Sequence, residues 1–148
     1  VCPVRPDSRG TILARSADPF EKPAIRPNYL SAPSDRRVLM AGLRLTRDIF
    51  AQPAIARHSA FEMVPGPDVR SDEEMVEYMR GYGTTIYHPV GTCRMGEDPA
   101  SVVDSRLRVR GIGGLRVIDA SVMPTLTTGN TNAPTIMIGE KGLSLIHI

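Results

Sequence analysis

The chain has 148 residues, enough for one domain with a hydrophobic core. Hydrophobic residues make up 41% of it and charged residues 23%, which are ordinary proportions for a globular protein. A formal net charge of +2, with the basic residues spread along the chain, gives no reason to expect a nucleic-acid partner. No apolar run approaches the roughly 20 residues of a membrane-spanning helix.

The N-terminus and the cysteines bear on the position of this chain within a longer protein and on its redox compartment. Val1-Cys2-Pro3-Val4-Arg5 has neither a signal-peptide form nor an initiating Met, so we expect the chain to begin in the middle of a longer protein. Cys2 and Cys93 are far apart and form no CxxC pattern, which suits a reducing compartment and predicts a cytoplasmic location. His88 and Cys93 are too few ligands for a zinc site, so no metal is predicted.

The first third of the chain predicts short extended segments and then one long helix. Repeated prolines interrupt residues 19–33, and short strands are expected within residues 8–14 and 24–30. Ser34 or Asp35 is expected to cap a helix that runs to about Ala51, with its arginines in solvent. Its predicted packing face is an apolar stripe at helical spacing: Val38, Gly42, Leu45 and Ile49, widened by Leu39, Leu43 and Phe50.

A second helix is predicted to begin near residue 71. Ser71 is followed three residues later by Glu74, which is the form of a capping box. The glycines at 81 and 83 are expected to end the helix, and a strand is predicted before it at residues 61–64. The predicted core stripe of this helix consists of Met75, Tyr78, Met79 and Tyr82.

The C-terminal third predicts a reversal, a strand and a last helix. The glycines within residues 111–114 favour a tight reversal, and the β-rich run 115–118 predicts a strand. Asn130 or Thr131 is expected to cap the last helix, with Pro134 in its first turn. Helices and short strands together predict an α+β fold.

The segment 87–96, Tyr-His-Pro-Val-Gly-Thr-Cys-Arg-Met-Gly, carries the strongest chemical signal. Pro89 fixes its own φ and disfavours a helical conformation at His88, while Gly91 and Gly96 permit unusual backbone shapes. Such a composition is typical of a rigid loop that presents one titratable ring. Histidine has a reference pKa of about 6.5, so neutral imidazole is available at pH 7 to accept a proton. A histidine satisfied in the core beside a turn would have the same pattern, and the residues alone leave that alternative open.

Three motifs follow one another in the second half of the chain: His-Pro-Val-Gly-Thr-Cys (88–93), Asp-Ala-Ser-Val-Met-Pro (119–124) and Gly-Asn-Thr-Asn-Ala-Pro-Thr (129–135). In this order they resemble the C-terminal part of the glucose–methanol–choline (GMC) oxidoreductases, flavoenzymes that oxidise alcohols with FAD. The resemblance covers nearly the whole chain. It implies a substrate-side segment over residues 1–100 that includes the histidine loop. It also implies a return segment over residues 101–142 whose strand and helix join an α/β FAD-binding domain.

The resemblance also implies roles for individual residues. His88 is expected to take the hydroxyl proton of a small alcohol. Asn132 stands where the family has a second histidine or an asparagine, and its amide can donate to the substrate oxygen, although a helix cap is the simpler reading. Backbone groups of Asn132, Pro134 and Thr135 are expected near the flavin, and those of Asp119 and Ala120 near the sugar–phosphate part of FAD. Since no side chain accepts a hydride, a redox cofactor is required.

Two features depart from the family pattern. The G-x-G-x-x-G fingerprint is absent, since Gly111-Ile112-Gly113-Gly114 has the wrong spacing, so the chain alone is expected neither to hold FAD nor to oxidise alcohols. Residues 143–148, Leu-Ser-Leu-Ile-His-Ile, look like a translated sequencing adaptor and are expected to be a non-native tail.

A non-catalytic binding module that reuses this half-fold is the leading alternative function. A hydrolase is a weaker one, because no G-x-S-x-G motif is present.

Overall fold

The structure is a computed structural model that describes residues 1–146. In chain order it contains β1 (Thr11–Leu13), β2 (Ala24–Arg26), α1 (Pro33–Phe50), α2 (Pro53–Ala56), α3 (Asp72–Tyr82), a short 3-10 helix (Ala120–Val122) and α4 (Asn132–Ile146). β1 and β2 pair in a two-stranded sheet. Helices with one small sheet agree with the predicted α+β class.

The chain divides into two compact units, each with its own hydrophobic core. The first unit comprises Val1–Gly10 and Arg26–Ile86, and the second comprises Thr11–Ile25 and the chain from Tyr87 onward. The predicted division near residue 100, which separates a substrate side from a flavin side, stays a prediction. So does the non-native tail: residues 143–146 continue α4, and His147 and Ile148 lie outside the described residues.

α3 of the first unit forms as its local signals predict. Ser71 accepts a hydrogen bond from the Glu74 backbone N–H, and the Glu74 side chain accepts one from the Ser71 N–H, which confirms the capping box. The helix ends at Tyr82, with Gly83 as its C-cap. Of the predicted stripe, the two methionines are buried and Tyr82 is 75% exposed. The core of this unit consists of Met40, Met75 and Met79.

The prediction of how α1 begins is wrong, and the prediction of how it packs is right only in part. The helix starts at Pro33 without a side-chain cap, and Asp35 lies inside it, where its carboxylate accepts hydrogen bonds from the Asp7 and Ser8 N–H groups, both at 2.8 Å. Leu39 and Leu43 of the predicted face do pack toward α3, together with Met40, which the prediction left out. Four other residues of that face are 46–59% exposed: Val38, Leu45, Ile49 and Phe50.

The arginines of α1 are also more engaged than expected. Arg47 Nε donates to both carboxylate oxygens of Glu62, and its terminal nitrogens donate to the carbonyl oxygens of Val69 and Gly66. Its side chain is 27% exposed. Arg47 therefore fastens the segment between α2 and α3 onto α1, a structural role that helical periodicity does not reveal.

Two of the predicted strands are absent from the described part of the chain. Residues 61–64 are irregular, with Phe61 and Met63 76% and 77% exposed. Residues 115–118 contribute only an isolated bridge between Arg108 and Arg116, so the run has too little pairing to become a strand. The reversal before this run is confirmed, with φ of +79° at Gly111 and +74° at Gly114.

The two short N-terminal strands are confirmed in place but are shorter than their predicted windows. β2 ends at Arg26 because Asn28 and Leu30, further along the window 24–30, have φ of +55° and +59°, which is incompatible with a strand.

No helix within residues 1–146 has the length and apolarity needed to cross a membrane. The same residues contain no group of three or more His, Cys, Asp or Glu side chains that could hold a metal ion. Both cysteines, Cys2 and Cys93, are free thiols.

Candidate active site

The loop that carries His88 is fastened to the 3-10 helix by backbone hydrogen bonds within the second unit. Cys93 N–H donates to the Ser121 carbonyl at 3.0 Å, and Met95 N–H donates to the Val122 carbonyl at 2.8 Å. Gly91 turns the chain just before these bonds, with φ of +88°, a conformation that glycine adopts without strain. The motifs at 88–93 and 119–124 are therefore physically joined.

The backbone on either side of His88 is restricted. Tyr87 has φ of +64°, in the left-handed region that costs a non-glycine residue about 1–2 kcal/mol. On the other side, Pro89 disfavours a helical conformation at His88. Such strain persists only where the surrounding structure imposes it, and it is found most often at functional sites.

The ring of the half-buried His88 contacts a residue far away in sequence. Its Nδ1 lies 3.0 Å from Oγ1 of Thr131, across 43 residues of chain. Thr131 is 7% exposed and immediately precedes α4. Because Nδ1 faces Thr131, Nε2 is the ring nitrogen that remains for a substrate.

The start of α4 gathers three more of the predicted site residues. Asn132 is the first residue of the helix and is exposed, while Pro134 lies in the first turn as predicted. Thr135 donates to the Thr131 carbonyl through its backbone N–H at 3.0 Å and its hydroxyl at 2.6 Å, which closes the first turn. Of the two expected caps, Thr131 is the residue next to the helix, and its hydroxyl meets the His88 ring.

The remaining two predicted site residues lie at the 3-10 helix, which packs against α4. The Asp119 carboxylate caps this helix by accepting from Ser121 N–H at 2.7 Å, and Ala120 is its first residue. Just before them, Ile118 packs closely on Gly142 of α4: a Cβ built on Gly142 would stand 2.3 Å from Ile118 Cγ2. The structure thus joins the segment that carries Asp119 to the body of the helix that begins at Asn132.

An ion pair completes the histidine loop. Arg94 donates from both terminal nitrogens to the two carboxylate oxygens of Asp98, at 2.8 and 2.7 Å. These hydrogen bonds lower the pKa of Asp98 to about 2. The pair joins two residues four apart in sequence and so shapes the loop.

Sequence reasoning missed one member of this site. Thr131 was assigned only a capping role, although it stands between the two asparagines of the Gly-Asn-Thr-Asn motif. The available signal is its place inside the motif 129–135, which holds three other predicted site residues: Asn132, Pro134 and Thr135. The contact itself depends on tertiary folding.

Comparison with known proteins places the chain among relatives of known family. Residues 6–139 match the family model described as GMC oxidoreductase. The alcohol dehydrogenase (acceptor) of Pseudomonas putida is 55% identical over 146 residues, which cover 99% of this chain and 26% of that protein. The oxygen-dependent choline dehydrogenase of Chromohalobacter salexigens is 49% identical over 138 residues, 93% of this chain and 25% of that protein. The chain therefore spans about a quarter of the length of these curated relatives.

Solved structures share the fold as well as the sequence. Pyridoxine 4-oxidase from Mesorbium loti superposes with a TM-score of 0.89 at 35% identity, covering 97% of this chain and 28% of that one. An FAD-dependent oxidoreductase from Chaetomium thermophilum gives a TM-score of 0.88 at 32% identity, covering 97% of this chain and 25% of that one. The family model spans most of the chain and confirms the resemblance of the three motifs: the chain belongs to the GMC oxidoreductase family and corresponds to its C-terminal part.

Proposed function

We propose that this chain is the C-terminal part of an FAD-dependent oxidoreductase that acts on CH–OH groups, with His88 accepting the hydroxyl proton of a small alcohol. The observation that carries the proposal is the 3.0 Å contact between His88 Nδ1 and Thr131 Oγ1, which ties the ring to the residue that immediately precedes Asn132 and α4. Relatives named as alcohol and choline dehydrogenases support the reaction class, and a structural neighbour named as FAD-dependent supports the cofactor.

The residues present fit the flavin cofactor. α4 is 15 residues long, and its first two residues, Asn132 and Ala133, are exposed. A helix N-terminus favours a group that gains negative charge, which suits a cofactor that takes up electrons. Asn132, Pro134 and Thr135 would hold the flavin, while the backbone at Asp119 would hold the sugar–phosphate part. FAD, when bound, supplies the hydride acceptor that no side chain provides.

The side chains of this chain would handle the proton and the oxygen charge. His88 would accept the hydroxyl proton at Nε2, since Nδ1 faces Thr131. The resulting imidazolium is a cation beside the oxygen and stabilises the charge that develops there. Asn132 would donate its amide N–H to the same oxygen. Because an amide does not titrate near neutral pH, the whole burden of proton transfer rests on His88.

In the proposed enzyme this chain is one part of a larger protein. Its exposed surface is 10850 Å², whereas two separate compact domains of half its mass would expose only about 9,000 Å². Phe20, Phe61 and Met63 are among the exposed large apolar side chains, at 93%, 76% and 77%. We infer that other parts of the enzyme cover such faces and complete the cofactor site. A cytoplasmic location remains part of the proposal.

A chimera tests the assignment. In it, this chain replaces the matching segment of the Pseudomonas putida alcohol dehydrogenase, and kcat/KM is measured against pH. His88→Ala should lower kcat/KM by about 10²–10⁴-fold and abolish the fall in rate at acid pH. Asn132→Ala should lower it by about 10²–10³-fold and keep that acid limb. His58→Ala removes the other histidine among residues 1–146, which is exposed and in the first unit, and serves as the matched control.

Two outcomes would contradict the proposal. If His88→Ala retains its flavin absorbance and still shows the wild-type acid limb, another group is the base. If the chimera binds FAD but turns over no alcohol that its parent oxidises, the non-catalytic binding module becomes the better reading. FAD content is measured in every variant, because Asn132 is also proposed to touch the flavin.

A further inference from the structure

We infer that Thr131 is a positioning residue for His88: its hydroxyl oxygen accepts a hydrogen bond from Nδ1–H and thereby keeps the proton-accepting lone pair on Nε2. This inference rests on the proposed role of His88 as the base. Thr131 acts on the ring of His88, whereas His88 and Asn132 contact the substrate in the proposed function.

Thr131 is suited to hold a ring because it is itself fixed. It is 7% exposed, while Asn130 and Asn132 on either side are exposed. Two hydrogen bonds from Thr135 to its carbonyl tie its backbone to the first turn of α4. Its β-branched side chain has few χ1 choices. The Oγ1–Nδ1 distance of 3.0 Å is typical of an N–H···O hydrogen bond.

The direction of this hydrogen bond follows from the chemistry asked of the ring. A neutral imidazole carries one proton, on either Nδ1 or Nε2. A hydroxyl opposite Nδ1 could accept from Nδ1–H or donate to a bare Nδ1. Only acceptance leaves Nε2 unprotonated and able to take the proton of an alcohol. After that transfer Nδ1–H remains, and the same hydrogen bond becomes charge-assisted and stronger.

The hydrogen-bond partner of Nδ1 is the neutral hydroxyl of Thr131, which therefore decides the tautomer of the ring. On the elements packed around it, Arg94 is paired with Asp98, and the Asp119 carboxylate is engaged with Ser121 N–H. Besides His88, the ionisable side chains of these elements are Tyr87, Cys93 and Arg94 on the histidine loop, Asp119 just before the 3-10 helix, and Glu140 and Lys141 on α4.

Valine and serine separate positioning from packing. Valine keeps the shape of threonine without the hydroxyl, whereas serine keeps the hydroxyl without the methyl group. In the chimera, Thr131→Val should lower kcat/KM by about 10- to 100-fold, the worth of a hydrogen bond to a group that becomes charged. Thr131→Ser should restore most of that loss. Thr128→Val changes an exposed threonine in the segment that leads into α4; it is the matched control and should resemble the wild type.

The pH profile reads out the direction of the hydrogen bond. If Thr131 accepts from Nδ1–H, its removal destabilises the imidazolium, so the acid limb of Thr131→Val moves to lower pH. If Thr131 instead donates to Nδ1, its removal destabilises the neutral ring and the limb moves to higher pH. The sign of the shift therefore distinguishes acceptance from donation, and recovery of activity in Thr131→Ser distinguishes loss of the hydrogen bond from packing damage.

Several outcomes overturn the inference. They are an unmoved limb with less than a twofold loss of activity, a limb moved to higher pH, a loss of activity that serine does not restore, and a loss that merely follows lost FAD. His88→Ala is measured in parallel. If it keeps the acid limb, the proposed function itself fails; if it loses the limb while Thr131→Val behaves as wild type, only the positioning role fails.

Discussion

Gly142→Ala should destabilise the second unit, although alanine is the better helix former. A Cβ at this buried position would stand 2.3 Å from Cγ2 and 2.8 Å from Cδ1 of Ile118. Isoleucine is β-branched and stiff at χ1, so its side chain does not easily turn aside. Overpacking of this kind costs about 1–3 kcal/mol, and the gain in helix propensity is about 1 kcal/mol. We therefore expect a loss of up to about 2 kcal/mol.

The matched control is Gly139→Ala, three residues earlier in α4. No atom lies within 4 Å of its Cβ position, so only the propensity gain of about 1 kcal/mol applies. The difference between the two variants isolates the overpacking cost, because the propensity gain cancels. Urea unfolding followed by far-UV circular dichroism measures it. With a slope of about 2 kcal/mol per molar, the two midpoints should differ by about 0.5–1.5 M.

Equal midpoints for the two variants would refute this reasoning, because they would show that Ile118 does not pack on Gly142. The contact also links the two proposed cofactor segments. In the chimera, Gly142→Ala should therefore weaken FAD retention, since it pushes α4 away from the residue before Asp119. Gly139→Ala should retain FAD as the wild type does.

The remaining predictions concern the chain alone, the cysteine and one carboxylate. The isolated chain mixed with FAD should show no saturable change in flavin fluorescence, because residues outside it complete the proposed site; tight one-to-one binding would contradict this. In the chimera, Cys93→Ser should keep most of the turnover, since the backbone N–H of Cys93 ties it into the loop and the substitution leaves that hydrogen bond in place; a loss as deep as that of His88→Ala would show a catalytic thiol. Asp98 should titrate by NMR near pH 2, and Arg94→Ala should raise its pKa toward the ordinary value of 3.8. Because the pKa of Asp98 is lower in the folded state, the stabilisation by this pair is present above about pH 4 and is lost as pH falls toward about 2. If the pKa of Asp98 is the same in Arg94→Ala as in the wild type, Arg94 is not the cause of the lowered pKa.

Features that depend on near neighbours in sequence were predictable. The capping box of α3 needs only Ser71 and Glu74, three residues apart, and its glycine end needs only the next turn. The reversal at residues 111–114 likewise needs only the glycines themselves. The face of α1 was not predictable in this way. The helix has apolar residues on more than one side, and the docking of α3 decides which stripe becomes core.

The two predicted strands that are absent also depended on contacts with distant residues. A β-rich run becomes a strand only when a partner supplies a ladder of hydrogen bonds, and residues 115–118 find one isolated bridge. The N-terminal end of α1 shows the reverse case. Asp35 is a residue type that often caps helices, yet its carboxylate accepts hydrogen bonds from the N–H groups of Asp7 and Ser8, which are 28 and 27 residues away.

For the candidate site, the sequence by itself determined the family, the histidine that is proposed as proton acceptor and the motif that holds Asn132, because motifs are local and can be recognised from the order of residues alone. Only the tertiary structure decided that His88 and Thr131 meet across 43 residues. The physical reason is that a hydrogen bond of 3.0 Å between distant residues depends on how the whole second unit packs. The loop is pinned to the 3-10 helix, that helix contacts α4, and α4 begins directly after Thr131.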